Sequence, residues 1–342
     1  MNMKPLYGYM AGANLGHWIS QYGKQSESHW DSYIVESDIE RMRGWGMDHI
    51  RVPVDYFLFE SDDNPGVYDE NRLKYIDNLL MWCKKQGLNL ILDLHHAPGF
   101  FFGNGAKNDL FTNRQSQLRF INIWKLFSVR YRDEGDNLIF ELLNELVWEN
   151  SDPWNQLWQE TAAEIHKLSP NRRIIIGGNN YNNVHELKNL TVVDDDRIIY
   201  NFHFYEPFIF THQRAGWMPS MVAYKTPVAY PFKVADHLAF YGGNAPEYFN
   251  GRDVVDKRFL DDYMQPVFDF IKEHDKTVYC GEYGVIANAD NESAARWLSD
   301  MADLMLEHGI GHAVWSYRGF SAITAPDNQS WNQPMVNAIS RH

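Results

Sequence analysis

Short unbroken apolar runs alternate along this chain with stretches in which apolar residues recur every three or four positions. The runs are residues 9–15, 48–54, 89–95, 137–145, 172–178, 197–205, 277–282 and 312–317. Most are apolar throughout rather than alternating, the pattern of parallel strands covered on both faces. Between them, Leu73, Ile76, Leu80 and Cys83 mark one helical face that Gly87 stops, and Ala294, Trp297, Leu298, Met301 and Met305 mark another ahead of Gly309. Leu118, Ile121, Trp124 and Phe127 mark a third helix over 116–131, and 267–273 belongs to a fourth. Eight strands alternating with helices predict the α/β class and, within it, a (β/α)8 TIM barrel occupying the whole of 1–342 as one domain. The competing doubly wound sheet loses ground because no Gly-x-Gly-x-x-Gly opens a helix.

One connection breaks the rhythm. From Glu206 to Gly251 there are 46 residues before the next strong helical pattern, where a βα loop takes roughly 2 to 6. Ten of them are aromatic, against about seven from the chain average of 15%. This predicts an inserted subdomain over 206–256, in the loop after strand 6, capping the active-site cleft. Most of its aromatics should form its own core, and Trp217, beside Gly216, is the candidate for stacking on a ring.

Composition narrows the chemistry. The 31 Lys+Arg against 45 Asp+Glu leave a net charge of −14, which repels phosphate backbones, so nucleic acid is not an expected partner. Acidic polysaccharides are disfavoured in the same way, and neutral glycans remain. No apolar run approaches the roughly 20 residues of a spanning helix, so no membrane partner is expected. The amino terminus as given lacks an apolar signal core, an expectation of a cytoplasmic protein unless a leader has been removed. Two cysteines, Cys83 on a helix and Cys280 on a strand, predict free thiols rather than a disulfide framework.

Candidate chemistry sits at strand ends. The fourth run ends in Leu142-Leu143-Asn144-Glu145 and the seventh in Cys280-Gly281-Glu282-Tyr283-Gly284. In a parallel barrel every strand ends on one rim, so two glutamates 282 − 145 = 137 residues apart meet there. Two facing carboxyls are what glycosidic hydrolysis needs. Residues two apart on a strand share a side, so Glu141, Leu143 and Glu145 are expected on one face and Cys280 with Glu282 on another. Glu141, deeper, needs a buried partner such as Arg51.

The motifs together resemble glycoside hydrolase family 5, of the bacterial endoglucanase C type: Arg51 in His49-Ile50-Arg51-Val52-Pro53, His95 in Leu94-His95-His96-Ala97-Pro98-Gly99, Asn144-Glu145, His203 and Tyr205 in Asn201-Phe202-His203-Phe204-Tyr205, Glu282 and Trp315. They follow the family's order on successive strands and cover nearly the whole chain. The resemblance implies a retaining mechanism with Glu282 as nucleophile and Glu145 as acid/base. It also implies Asn144 on the sugar 2-hydroxyl, His95 and His203 on hydroxyls or orienting the carboxyls, and Trp315 beneath the ring. Arg51 and Tyr205 would hold Glu282 ionised, and the Glu282 charge would keep Glu145 protonated. His17 stands where relatives often have Gly.

The expected activity is endo-β-1,4-glucan hydrolysis on soluble cellulose or mixed-linkage glucan, by a monomer without cofactor or metal. Alternatives within the family are an exo-β-1,3-glucanase, which the His-Ala-Pro-Gly run resembles, and a β-mannanase. From other classes come a metal-dependent barrel hydrolase and an inactive carbohydrate binder. Adjacent His95 and His96 point to opposite faces of a strand and do not suit one metal site. Glu149 reads as solvated loop, and Gly177-Gly178-Asn179-Asn180 as the close-packed end of the fifth strand rather than a phosphate cradle.

Overall fold

In the computed structural model, residues 4–21, 26–102, 108–320, 323–324 and 330–340 are described; residues 1–3, on which the amino-terminal reading partly rests, lie outside them. The apolar runs form β1 (Ala11–Asn14), β2 (His49–Asp55), β3 (Asn89–His96), β4 (Leu138–Glu141), β5 (Ile174–Gly177), β6 (Ile198–Phe204), β7 (Val278–Tyr283) and β8 (Gly311–Val314). All pair in parallel, and β8 returns to β1, with His312 opposite Ala11, to close the barrel. The (β/α)8 expectation is met.

The principal outer helices are α1 (Glu70–Gln86), α2 (Arg114–Arg130), α3 (Asp152–Leu168), α4 (Gln265–His274) and α5 (Asn291–Glu307). Asp69 caps the start of α1 by accepting from the Asn71 N–H, and Gly87 ends it in the left-handed conformation. In α2, Ile121, Trp124 and Phe127 are buried but Leu118 is 39% exposed. Nine residues at 100° each rotate a helical stripe by about half a turn, so a strict three-residue step carries Leu118 to the solvent edge, and Phe120 fills the inward place.

The core has two layers. Most apolar side chains pack between strands and helices. A separate plug of Leu6, Tyr9, Ile91, Ile139, Ile175, Ile199, Tyr279 and Ala313 fills the amino-terminal end of the barrel interior. One step of the pleat further on, the inward positions become polar: Asp93, Glu141 and Asn201 follow Ile91, Ile139 and Ile199 at i+2. That switch creates the floor of the site.

Residues 206–256 contain two short helices (Phe208–Thr211 and Pro219–Ala223), 3-10 turns and a strand pair, Phe232–Lys233 antiparallel to Val254–Val255. Phe210, Tyr230, Phe232 and Phe249 are buried, whereas Phe208 and Trp217 are exposed.

Two strand readings need correction. β4 stops at Glu141, and Leu142 and Leu143 both turn into the outer core, leaving Asn144 and Glu145 on the loop beyond. In β7 the expected sharing of a face by Cys280 and Glu282 fails. Cys280 packs in the outer core, while pairing with β6 slips from Phe202–Cys280 to His203–Glu282 and pairing with β8 slips over the same stretch. This β-bulge turns Gly281 and Glu282 inward together. Both cysteines are free, buried thiols.

Candidate active site

Arg51, at mid-β2, organises the floor. It is fully buried, and all five of its N–H groups have acceptors. Nε donates to Glu141 Oε2 at 2.6 Å and Nη2 to Glu141 Oε1 at 2.8 Å. Nη2 also reaches Asn144 Oδ1 at 2.8 Å, and Nη1 reaches Asn14 Oδ1 at 2.8 Å and Glu282 Oε1 at 2.9 Å. Asp93 Oδ2 lies 3.1 Å from Nη2. One guanidinium therefore faces three buried carboxyls. Burial pushes Asp93 and Glu141 each up to about 7 despite Arg51, since a single positive charge cannot compensate all of them.

Glu282 receives a second donor, the Tyr205 hydroxyl, at 2.9 Å from Oε2. Across from it, Glu145 Oε1 lies 2.8 Å from His203 Nδ1. One oxygen of Glu145, one of Glu282 and a His203 ring nitrogen all lie within 4.8 Å of one another. Among the described residues this is the only group with the spacing of metal donors, and it consists of the two facing carboxyls and the imidazole that holds one of them. Burial raises both carboxyls. Glu145 goes well above the usual range, first from burial and then from the Glu282 charge, whereas Arg51 and Tyr205 pull Glu282 back to about 7. Burial, not the neighbouring charge alone, is thus the larger cause for Glu145.

These groups open into a cleft of about 860 Å³. His95, Glu145, His203, Tyr205, Glu282 and Trp315 line it, as do Trp217 and Phe208. His95 is held by Asp93, Nδ1 to Oδ2 at 2.8 Å, and its ring lies parallel to that of Trp315 with centroids 5.7 Å apart. Gly16 makes room for Trp315, since a Cβ there would meet the indole at 2.9 Å. His96 turns away and bonds Asp55. Asn144 and Arg51 are fully buried below the lining residues. Trp18 is buried outside the cleft lining and donates to the Trp30 carbonyl.

Several residues of the floor escaped sequence reasoning. Asn14, Asp93 and Asn201 hold the principal groups, and Glu206, buried beside Tyr205, lines the cleft. A signal was present: each of the first three is a polar residue inside an apolar strand, where burial demands a partner.

The description Cellulase (glycosyl hydrolase family 5) matches residues 15–321. Endoglucanase C of Acetivibrio thermocellus is 43% identical over 341 residues, 98% of this chain and 99% of that protein. Cellodextrinase A of Ruminococcus flavefaciens is 32% identical over 305 residues, 89% and 84% of the two chains. The crystal structure of endoglucanase Cel5A from Thermotoga maritima superposes with a TM-score of 0.78 at 22% identity, covering 97% of each chain, and supports the barrel fold. A profile match over most of the length, together with near-complete alignment to a relative at this identity, places the chain in glycosyl hydrolase family 5, and it is a glycoside hydrolase of the cellulase family.

Proposed function

We propose that the chain is a retaining endo-β-1,4-glucanase in which Glu282 is the nucleophile and Glu145 the acid/base. The observation that carries this reading is the approach of the two carboxyls to within 4.8 Å across an open cleft. Retaining hydrolases hold their carboxyl pair about 5 to 5.5 Å apart, whereas inverting ones leave roughly 6.5 to 9.5 Å for a water.

In the first step a Glu282 oxygen bonds the anomeric carbon as the glycosidic C–O bond breaks, and the departing oxygen takes the Glu145 proton. Esterification then removes the charge on Glu282. With that charge gone, Glu145 holds its proton less tightly and can take one from the incoming water. The water oxygen bonds the anomeric carbon, and Glu282 leaves as a carboxylate.

Arg51 and Tyr205 favour the ionised form of Glu282 through charge-assisted hydrogen bonds, against the pull of burial. Trp315, backed by His95, offers an apolar face beneath the ring at the cleavage point, and Trp217 offers one further along. Asn144 serves the 2-hydroxyl from below. Residues 206–256 wall and cap one side of the cleft, and the substrate is a neutral β-glucan bound by a monomer.

Replacing Glu282 by Gly tests the assignment. Hydrolysis should collapse, and azide should restore turnover of an activated β-cellobioside with inversion; near-normal activity without azide would remove Glu282 as nucleophile. Mixed short oligomers from mixed-linkage glucan support internal cutting. Glucose alone from a β-1,3-glucan, or preferred cutting of mannan, would replace the β-1,4-glucan assignment.

A further inference from the structure

After β5 the backbone takes three consecutive left-handed steps at Asn180, Tyr181 and Asn182, with φ of 51°, 61° and 54°. L-residues resist this conformation by roughly 1–2 kcal/mol each, Asn least. The turn is tied to the chain that runs on from Glu145. Tyr181 N–H donates to the Leu146 carbonyl at 3.2 Å, and the Asn179 amide exchanges hydrogen bonds with the Trp148 N–H and carbonyl, both at 2.9 Å. Gly177 clears the space, because a Cβ there would stand 2.2 Å from Asn182 Oδ1. So constrained, Asn182 points its Nδ2 at His203 Nε2, 3.2 Å away.

The opposite nitrogen of that imidazole meets Glu145. Asn201 settles the proton's place. Its Oδ1 accepts from the Gly281 N–H at 2.8 Å, so its Nδ2 faces Glu141 Oε1 at 3.0 Å and His203 Nε2 at 3.4 Å. With two amide donors directed at Nε2, that atom carries the lone pair and Nδ1 carries the hydrogen. Nδ1–H then donates to Glu145 Oε1, leaving the other oxygen to bear the proton for the leaving group. In the reverse tautomer, Nδ1 would accept the Glu145 proton and draw it away from substrate.

We propose that Asn182 is a positioning residue, which locks His203 in the Nδ1–H form from a left-handed turn and so keeps the Glu145 proton available to the leaving group. The proposal rests on the acid/base reading of Glu145. Burial and the Arg51 charge also keep His203 neutral. The charged or titratable groups facing the pair are Arg51 from β2, Asp93 and His95 from β3, Glu141 from β4, Tyr205 beyond β6 and Glu282 from β7.

Asn182→Gly removes the amide and suits the positive φ; Asn182→Asp keeps the shape, and its carboxylate draws a hydrogen onto Nε2. Both are compared with the parent on phenyl and 2,4-dinitrophenyl β-cellobiosides, alongside thermal unfolding. Asn182→Gly should unfold near the parent's temperature and lose about tenfold in kcat on the phenyl substrate, a part of the roughly 10²- to 10⁴-fold that general acid catalysis supplies. The dinitrophenyl substrate, which needs little protonation, should be nearly unaffected. The alkaline limb of the phenyl profile should move to higher pH, since Glu145 loses a donor to its ionised form. Asn182→Asp should show the same selectivity with a larger loss. Equal losses on both substrates, or none on either, would overturn the proposal. A parallel Glu145→Ala variant separates the readings: leaving-group selectivity there but not at position 182 defeats only the role of Asn182, and its absence in both defeats the acid/base assignment as well.

Discussion

The two ends of the barrel interior are built on the same strands, one pleat apart, and obey opposite rules. At the amino-terminal end Ile91, Ile139, Ile175 and Ile199 form an apolar plug closed by Leu6 and Tyr9. Toward the carboxyl ends, Arg51, Asp93, Glu141 and Asn201 occupy the equivalent inward places, all fully buried. Burial stabilises the first layer and opposes the second, because charged groups lose more solvation than their neighbours readily return. The plug supplies rigidity. The upper layer uses it to hold carboxyls at raised proton affinity, which a solvated cleft could not do.

Arg51 is the place where that contrast breaks most severely. Arg51→Met leaves Asp93, Glu141 and Glu282 without their guanidinium, and removing one partner of a buried ion pair costs about 3–5 kcal/mol. Urea unfolding should register that loss at neutral pH, together with a collapse of activity. Carboxyls raised to about 7 bind protons more tightly folded than unfolded. Their contribution to stability is therefore complete below their unfolded values near 4 and is lost as pH rises through 7. Loss of the guanidinium raises these carboxyls further, so the destabilisation of Arg51→Met relative to the parent should widen from pH 5 to pH 8; a constant difference would mean that Arg51 does not hold their proton affinity down.

The lower layer breaks differently. Ile139→Ala should cost about 2–5 kcal/mol through the cavity it leaves, while the shape of the pH–activity profile stays as in the parent. A displaced profile would show that the plug tunes the acids as well as supporting them.

Tyr205→Phe sharpens the contrast with the smallest perturbation. It deletes one hydrogen bond to Glu282, and a bond to a charged group contributes about 1.5–3 kcal/mol. Because the hydroxyl favours the ionised carboxyl, the acid limb of kcat/KM should move to higher pH, with a loss of about tenfold or more at neutral pH. An unmoved limb would show that Arg51 alone keeps Glu282 charged.

Much of this was legible in the residues. The eight runs located all barrel strands, and Gly87 and Gly309 marked the ends of α1 and α5. Asn144-Glu145 and Gly281-Glu282 pointed to one rim, and the resemblance to family 5 supplied expected roles. Period-two reading went astray at two places, both beside the glutamates: β4 ends before Leu143, and β7 bulges at Gly281. Alternation assumes a regular ladder, and here the ladder is irregular. Asn182 was hidden for a related reason, since nothing in Gly177-Gly178-Asn179-Asn180 announces a left-handed turn aimed at His203. That turn depends on contacts with Leu146 and Trp148, some thirty residues away.

The order of strands, the helical faces that cover them and the presence of two rim glutamates were determined by the chain itself, because periodic apolar patterns and stop residues act locally. Which atoms meet was decided only in the tertiary structure. The five acceptors around Arg51, the hydrogen on His203 and the order of proton affinity between Glu145 and Glu282 arise from burial and from partners contributed by strands and loops from β1 to β7. Those energies exist only once the barrel has closed and water has left its floor.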